Sequence, residues 1–243
     1  RPAAFVGTFL LEINSEEIGL DAFAGCFDKV IGVEYEDCYF TIKRIPEGEL
    51  KEWFNDSLNN EAPRRNLKVL QVAQNGDVIA AIQIQNAFLR ELTVSTFDAT
   101  DNSPGSITFV VVPDSINPTS GNASGIGGPI KSFLASHFNV EVDGVALGGV
   151  ASVDGIHAFW AKNDVVIGAG ARRHFEPGAA LFGDIEMQVA ISIGTTAADL
   201  DSWVDELGGA GDAEKDGDLR ILNNSFSMEL GRIQFHDLVP VSF

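Results

Sequence analysis

Two segments far apart in the chain, Leu50–Leu58 (LKEWFNDSL) and Leu200–Leu207 (LDSWVDEL), carry one pattern. In the first, Leu50, Trp53, Phe54 and Leu58 recur at helical spacing, and in the second Leu200, Trp203, Val204 and Leu207 do the same, with charge on the opposite face. Each predicts a short amphipathic helix burying a Leu/Trp stripe. The surroundings echo as well. Leu67-Lys68-Val69-Leu70 and Ile82-Gln83-Ile84-Gln85-Asn86-Ala87 follow the first; Leu219-Arg220-Ile221-Leu222 and Ile233-Gln234-Phe235-His236-Asp237-Leu238 follow the second. Upstream, Phe9–Asn14 has its counterpart in Phe138–Asp143, each followed by Gly19 or Gly148 and then by Phe23-Ala24-Gly25 or Val153-Asp154-Gly155. An echo of this length predicts a duplicated domain, and 243 residues divide naturally into two domains of about 110–120. The expected boundaries are 1–116, a linker and lead-in over 117–136, and 137–243.

Within each half the pattern is mainly strand. Phe9–Ile13 reads as a first strand, Leu20–Gly25 as a small-residue stretch plugged by Phe23, and Ile31–Ile45 as one long or two short strands. Pro46-Glu47-Gly48-Glu49 launches the helix, with acids at the positive end of its dipole. Asn75-Gly76 between Leu67–Ala73 and Val78–Phe88 is a hairpin signal, and Leu92–Phe97 and Ser106–Pro113 read as further strands. The run NPTSGNASGIGG from Asn117 to Gly128 has linker composition. The second half carries roughly twenty extra residues around Ala158–Phe182, read as a protruding hairpin or loop, and it stops at Phe243 where the first half still has Leu92–Pro113 to come. The fold class expected is mainly β (α+β): two tandem β-barrel or sandwich domains, each with one short amphipathic helix.

Charge narrows the function. With 35 acidic against 16 basic residues and a net charge of −19, nucleic acid is not held by surface attraction, although an acidic wall lets a polyanion slide past. A salty habitat would produce the same composition. No apolar run is long enough to cross a bilayer, and RPAAFVGTF lacks the signal pattern, so the sequence predicts a soluble chain with no membrane partner. Cys26 and Cys38 are not spaced as CxxC; the reading favoured is two part-buried free thiols in a cytosolic product, ahead of a structural disulfide.

No constellation commits the chain to catalysis or to a cofactor. Gly168-Ala169-Gly170 lacks the third glycine of a dinucleotide loop, and Pro177 interrupts any helix after it. Asp212, Asp216 and Asp218 fall as in the first positions of a calcium loop, but Asn223 stands where the closing Glu belongs, so a solvated acidic turn is preferred. His137, His157, His174 and His236 have no metal-ligand spacing. Trp53 and Trp203 are expected as core anchors because both lie on the apolar stripe.

Taken together, each half resembles the tail-tube proteins of T4-like contractile phages and phage-derived contractile injection systems. The resemblance is carried by Phe138–Gly144 and more loosely Phe9–Asn14, by the LxxW helix and by the strand ending in Asn86-Ala87-Phe88. Phe97-Asp98-Ala99 and Ile107–Val112 extend it in the first half, Arg173–Gly178 followed by Ile185–Ile193 in the second. It implies a structural subunit rather than an enzyme, with six domains to a ring and rings stacked into a hollow tube. Two fused domains then imply three chains per ring. Arg172, Arg173 and His174 would form an inter-ring contact. The implied partners are further copies of the chain, sheath and baseplate proteins, and DNA or protein cargo passing through the lumen. The implied location is a virion tail or a cytoplasmic injection particle. A ring at one tube end, and a calcium- or ligand-binding β module, are the alternatives.

Overall fold

The computed structural model describes residues 8–26, 34–59, 61, 63–123, 132–165, 174–190, 202–203 and 214–239. In chain order the elements are β1 (Thr8–Ile13), β2 (Glu16–Leu20), β3 (Ala22–Gly25), β4 (Cys38–Ile42), α1 (Gly48–Leu58), β5 (Arg65–Val72), β6 (Val78–Val94), β7 (Phe97–Asp98) and β8 (Ile107–Val112). There follow β9 (Ser115–Thr119), β10 (Phe138–Val142), β11 (Val145–Leu147), β12 (Val150–Asp154), β13 (His157–Val165), β14 (His174–Phe182), β15 (Glu186–Val189), β16 (Lys215–Leu222) and β17 (Glu229–Leu238). The chain is mostly β, as its sequence predicts. It divides into two compact units, one of residues 1–95, 106–130 and 156–184, the other of residues 96–105, 131–155 and 185–243.

The first unit is organised by β6, a strand of 17 residues. Its first part pairs with β5 and β9; its second part pairs with β8 and β13. The result is two sheets sharing one strand, β2-β1-β5-β6-β9 and β3-β4-β8-β6-β13-β14. The sequence suggests separate strands over Val78–Phe88 and Leu92–Phe97. Instead the backbone turns at Asn86, which takes φ 53°, and continues. Asparagine tolerates this left-handed conformation because its short side chain bonds locally. Neither sheet closes on itself among the described residues; β2, β9, β3 and β14 are left as edges. Pro118 in β9 and Pro177 in β14 blunt two of those edges.

Helix α1 covers the shared interior. Leu50, Trp53 and Phe54 of the predicted stripe are buried; Ser57 completes the buried face, and Leu58, the fourth residue of that stripe, is half-buried. The helix has no side-chain N-cap of its own; Glu16 on β2 accepts a hydrogen bond from the Glu49 amide at 2.8 Å and fills that role. Phe54 meets Phe109 edge-on at 5.2 Å, and Phe109 continues a run of rings through Phe40 (4.9 Å), Phe23 (5.3 Å) and Phe9 (5.7 Å). The Trp53 indole N–H donates to the Pro63 carbonyl at 2.8 Å, so its one polar atom is satisfied in the core.

One expectation is overturned here. Cys26 and Cys38 are not free thiols but a disulfide, with Cα atoms 4.7 Å apart, and Cys38 is fully buried. The cause is strand register: β3 and β4 pair Gly25 with Cys38, which sets Cys26 beside its partner. Gly25 itself takes φ 80°, and a Cβ there would lie 2.1 Å from the Asp37 carbonyl oxygen, so only glycine lets the chain pass that close. Closing a loop of this length stabilises a fold by about 2–3 kcal/mol. Reduction is therefore expected to lower the melting temperature of the wild type, while Cys38→Ser melts at that lower temperature with or without dithiothreitol.

The second unit contains the sheets β11-β10-β16-β17 and β15-β12-β7. Phe97 lies 6.0 Å from Phe133 and 5.6 Å from Phe138 in its interior. Of the second expected helix only Ser202 and Trp203 are described, both helical; the rest of Leu200–Leu207 lies outside the described residues. Trp203 is buried, with the Lys215 ammonium 5.8 Å from its ring centroid. The strand order β11-β10-β16-β17 matches β2-β1-β5-β6 of the first half. Left-handed residues fall at matched places too: Asn14 (φ 46°) and Asp143 (50°), Gly25 (80°) and Gly155 (78°), Asn86 (53°) and Asp237 (56°).

Candidate assembly surface

Within the stretch Ala158–Phe182, expected as a protruding hairpin or loop, the described residues form the paired antiparallel strands β13 and β14, and these are not solitary. Strand β13 adds to β6 with His157, Ala158 and Phe159 opposite Thr93, Leu92 and Glu91. The Val94 amide donates to the Ile156 carbonyl at 3.0 Å. A strand from the second half of the sequence thus extends a sheet built by the first.

Three fixings hold these strands. Trp160 is fully buried, and its indole N–H donates to the Ser57 carbonyl in the last turn of α1 at 3.2 Å. Asp37, whose side chain is 8% exposed, accepts from Lys162 at 3.1 Å and from Arg90. The Lys162 ammonium also stands 3.9 Å from the Phe175 ring centroid, so the cation is shared between carboxylate and π face. Third, the Arg64 guanidinium donates to Asp114 at 3.1 Å, to the Asn86 carbonyl at 2.9 Å and to the Phe175 carbonyl, and lies over Phe88. His174 Nδ1 is 3.0 Å from the same Asp114 carboxylate.

Asn86 is the pivot of this arrangement. Its backbone amide donates to Asn66 Oδ1 at 2.9 Å, its carbonyl accepts from Arg64, and its side-chain amide donates to Asp114. Asn86→Ala removes the local bonding that holds a left-handed residue and is expected to cost about 1–2 kcal/mol in urea denaturation; Asn86→Gly, which keeps the backbone freedom, recovers part of it.

One face of the second sheet carries exposed aromatic and apolar side chains beside a buried Val110. Across the strands, Tyr39, Val110, Glu91, Phe159 and Leu181 stand in one register row, and Thr41, Thr108, Thr93 and His157 in the next. Tyr39, Phe159 and Leu181 are exposed. Hydroxyls and aromatic rings dominate these two rows, with Glu91 their single carboxylate.

Of the other residues singled out in the sequence, Arg172, Arg173, Asp212 and Gly168–Gly170 lie outside the described residues. Asp216 and Asp218 lie on β16, in an open cleft with Glu141 and Asp143. Asp216 faces His236 at 3.2 Å and Asp218 faces Arg232 at 3.3 Å. Among the described residues no group of three metal-ligating side chains is placed to hold an ion. No helix among them is long and apolar enough to cross a membrane. Sequence reasoning missed Asp37, Arg64, Trp160 and Lys162. The run Ala158-Phe159-Trp160-Ala161 is apolar throughout, so the alternation of buried Ala158 and Trp160 with exposed Phe159 has no counterpart in the letters.

Residues 33–111 match the model of a family described as T4-like virus tail tube protein gp19, the family whose resemblance the sequence carries. No curated protein matches the chain. Among solved structures, a chain of the sheath-tube complex of an extracellular contractile injection system (PVC) in its extended state is similar at 18% identity and a TM-score of 0.40, covering 49% of this chain and 93% of that one. Hcp1 from Flavobacterium johnsoniae is similar at 13% identity and 0.35, covering 48% and 98%. A tube-terminating cap chain of the anti-feeding prophage is similar at 16% and 0.39, covering 50% and 93%.

Proposed function

We propose that this chain is a structural subunit of the inner tube of a phage-like tail or contractile injection system. It is a tandem duplication of one tube domain, so that three chains make a pseudo-hexameric ring and rings stack into a hollow conduit. The observation that carries the reading is the shared strand order of the two halves, with left-handed residues at matched positions, in a chain whose residues 33–111 match the tail-tube family. Open sheet edges support it physically. An edge strand is a template for pairing, and ring closure removes it. Addition of β13 to β6 is pairing of this kind, made within one chain.

In this reading the hydroxyl and aromatic rows face passing DNA or protein cargo, which they contact without binding specifically. Sheath and baseplate proteins are the outer partners. Arg172 and Arg173 meet acidic surface on the next ring, so reversing both charges shortens the tubes.

The test is negative-stain electron microscopy of the purified chain, averaged down the particle axis. Hollow six-lobed rings with threefold modulation, stacked into tubes, are the expected result. Single rings that never stack would move the chain to a tube end, as adaptor or terminator. A chain that stays monomeric at high concentration overturns the tube reading; a melting temperature raised by calcium and restored by EDTA would favour a calcium-binding module instead.

A further inference from the structure

Both cysteines of this chain, Cys26 and Cys38, are in one bridge, so the chain has two redox forms and no competing pairing. The bridge ties a short edge strand to a crowded place. Strand β3 is four residues long and ends its sheet, and the chain leaves it through two successive left-handed residues, Gly25 at φ 80° and Cys26 at φ 64°. Glycine adopts this conformation freely; cysteine, which has a Cβ, is strained in it. The bridge acts there beside one long hydrogen bond, 3.4 Å from the Cys26 amide to the Asp37 carbonyl.

The other end of the bridge, Cys38, follows Asp37 directly, and Asp37 is the carboxylate on which Lys162 of β13 and Arg90 of β6 converge. Asp37 is thus engaged at both ends. Its carbonyl lies against the backbone of Gly25 and Cys26, and its side chain holds the strand that extends the sheet. With the bridge closed, Asp37 is clamped between Cys38 and the Gly25-Cys26 backbone. With the bridge open, the strained backbone relaxes, the clamp loosens, and the carboxylate no longer stands where Lys162 and Arg90 need it.

We propose that the Cys26–Cys38 bridge is a redox-operated lock on the seating of β13 against β6, holding the seat when closed and releasing it when opened by a dithiol reductant. A thiolate of the reductant attacks the Cys26 sulfur, whose residue is 6% exposed where Cys38 is fully buried, and Cys38 leaves as a thiolate that takes up a proton. The second thiol of the reductant then attacks the mixed disulfide and frees Cys26, and the reductant departs as its own disulfide, two electrons poorer. Linkage makes the coupling reciprocal: what the bridge does for the seat, the seat does for the bridge. A chain kept in a reducing medium seats β13 loosely and tightens in an oxidising one. The lock belongs to a single chain and works with or without ring formation.

The test equilibrates the full chain in mixtures of reduced and oxidised dithiothreitol and counts thiols by alkylation and mass, for wild type, Lys162→Met and Lys68→Met. The last is the control, because it breaks an ion pair with Glu12 in the same unit, on β1 and β5. Lys162→Met is expected to shift the equilibrium about tenfold towards the dithiol, a potential about 30 mV less negative, while Lys68→Met matches wild type. Hydrogen exchange on wild type in its two redox forms needs no variant. Reduction is expected to speed exchange of the Val94 amide, which donates to the Ile156 carbonyl across the seat, about tenfold more than exchange in the paired residues of β1 and β5. Equal equilibria in wild type and Lys162→Met overturn the proposal, and so does an equal shift in both lysine variants. Protection lost evenly through β1, β5 and β6 overturns it as well, making the bridge a staple of the whole unit, as does a wild type that carries two thiols before any reductant is added. If Lys162→Met does not fold, the exchange comparison on wild type decides alone.

Discussion

Trp160→Ala is expected to lower the stability of the first unit by about 3–5 kcal/mol, the range for deleting a fully buried aromatic side chain. Trp160 is 1% exposed, so the loss combines transferred apolar area with a cavity under α1. It also strands the Ser57 carbonyl, which accepts the indole N–H at 3.2 Å. Trp160→Phe separates the two effects: it keeps most of the bulk, loses the bond and is expected to cost about 1–2 kcal/mol. Urea denaturation of the three proteins gives the numbers. Hydrogen exchange locates them, with protection lost at Thr93 and Leu92, the register partners of His157 and Ala158, before it is lost in β1. A cost below about 1 kcal/mol for the alanine variant would mean that β13 is not seated on β6 as described.

Asp37→Ala is the second large effect. It leaves Lys162, 17% exposed, without its carboxylate, and breaking a buried pair from one side costs about 3–5 kcal/mol. Removing both partners should cost less than the sum. In Asp37→Ala/Lys162→Met neither charge is left buried alone, and Phe175 still packs against the new side chain in place of the ammonium. A double-mutant cycle in urea is expected to return a coupling of about 1–3 kcal/mol. Strict additivity would show that Lys162 and Asp37 do not meet in solution. Arg90 is 42% exposed and contributes less, as a partly solvated member of the cluster.

Local features of this fold were legible in the sequence because local chemistry decides them. The stripe Leu50, Trp53, Phe54 is buried on α1, and Asn75-Gly76 makes the β5–β6 turn. The echoes first seen as letter patterns fall on residues with one backbone conformation, Asn14 with Asp143 and Asn86 with Asp237, because a turn or bend needing a left-handed residue restricts its occupant to a few types. What the sequence hid is non-local. That β6 passes through Asn86 without ending depends on β8 and β13 pairing with its far part, contacts no window around Asn86 contains. The disulfide was hidden for a related reason: spacing and compartment argue for thiols, whereas the β3–β4 register decides whether two sulfurs meet. Nothing in the sequence singles out Arg64 or Asp114. Only the fold brings them to His174 and Phe175.

The placing of β13 and β14 has a consequence for how the chain is made. Residues 1–95 emerge from the ribosome first, yet the unit they belong to takes its final segment, residues 156–184, only after roughly ninety more residues have been translated. At about 5–20 residues per second that is a wait of several seconds. Throughout it the second part of β6 offers Leu92 and Thr93 on an uncovered edge, and the last turn of α1 lacks Trp160. A nascent chain in this state is an invitation to pair wrongly, with its own kind first of all. Codon choice, chaperone capture and the speed of translation between residues 96 and 155 therefore bear on yield in a way that the finished fold, once complete, no longer reveals.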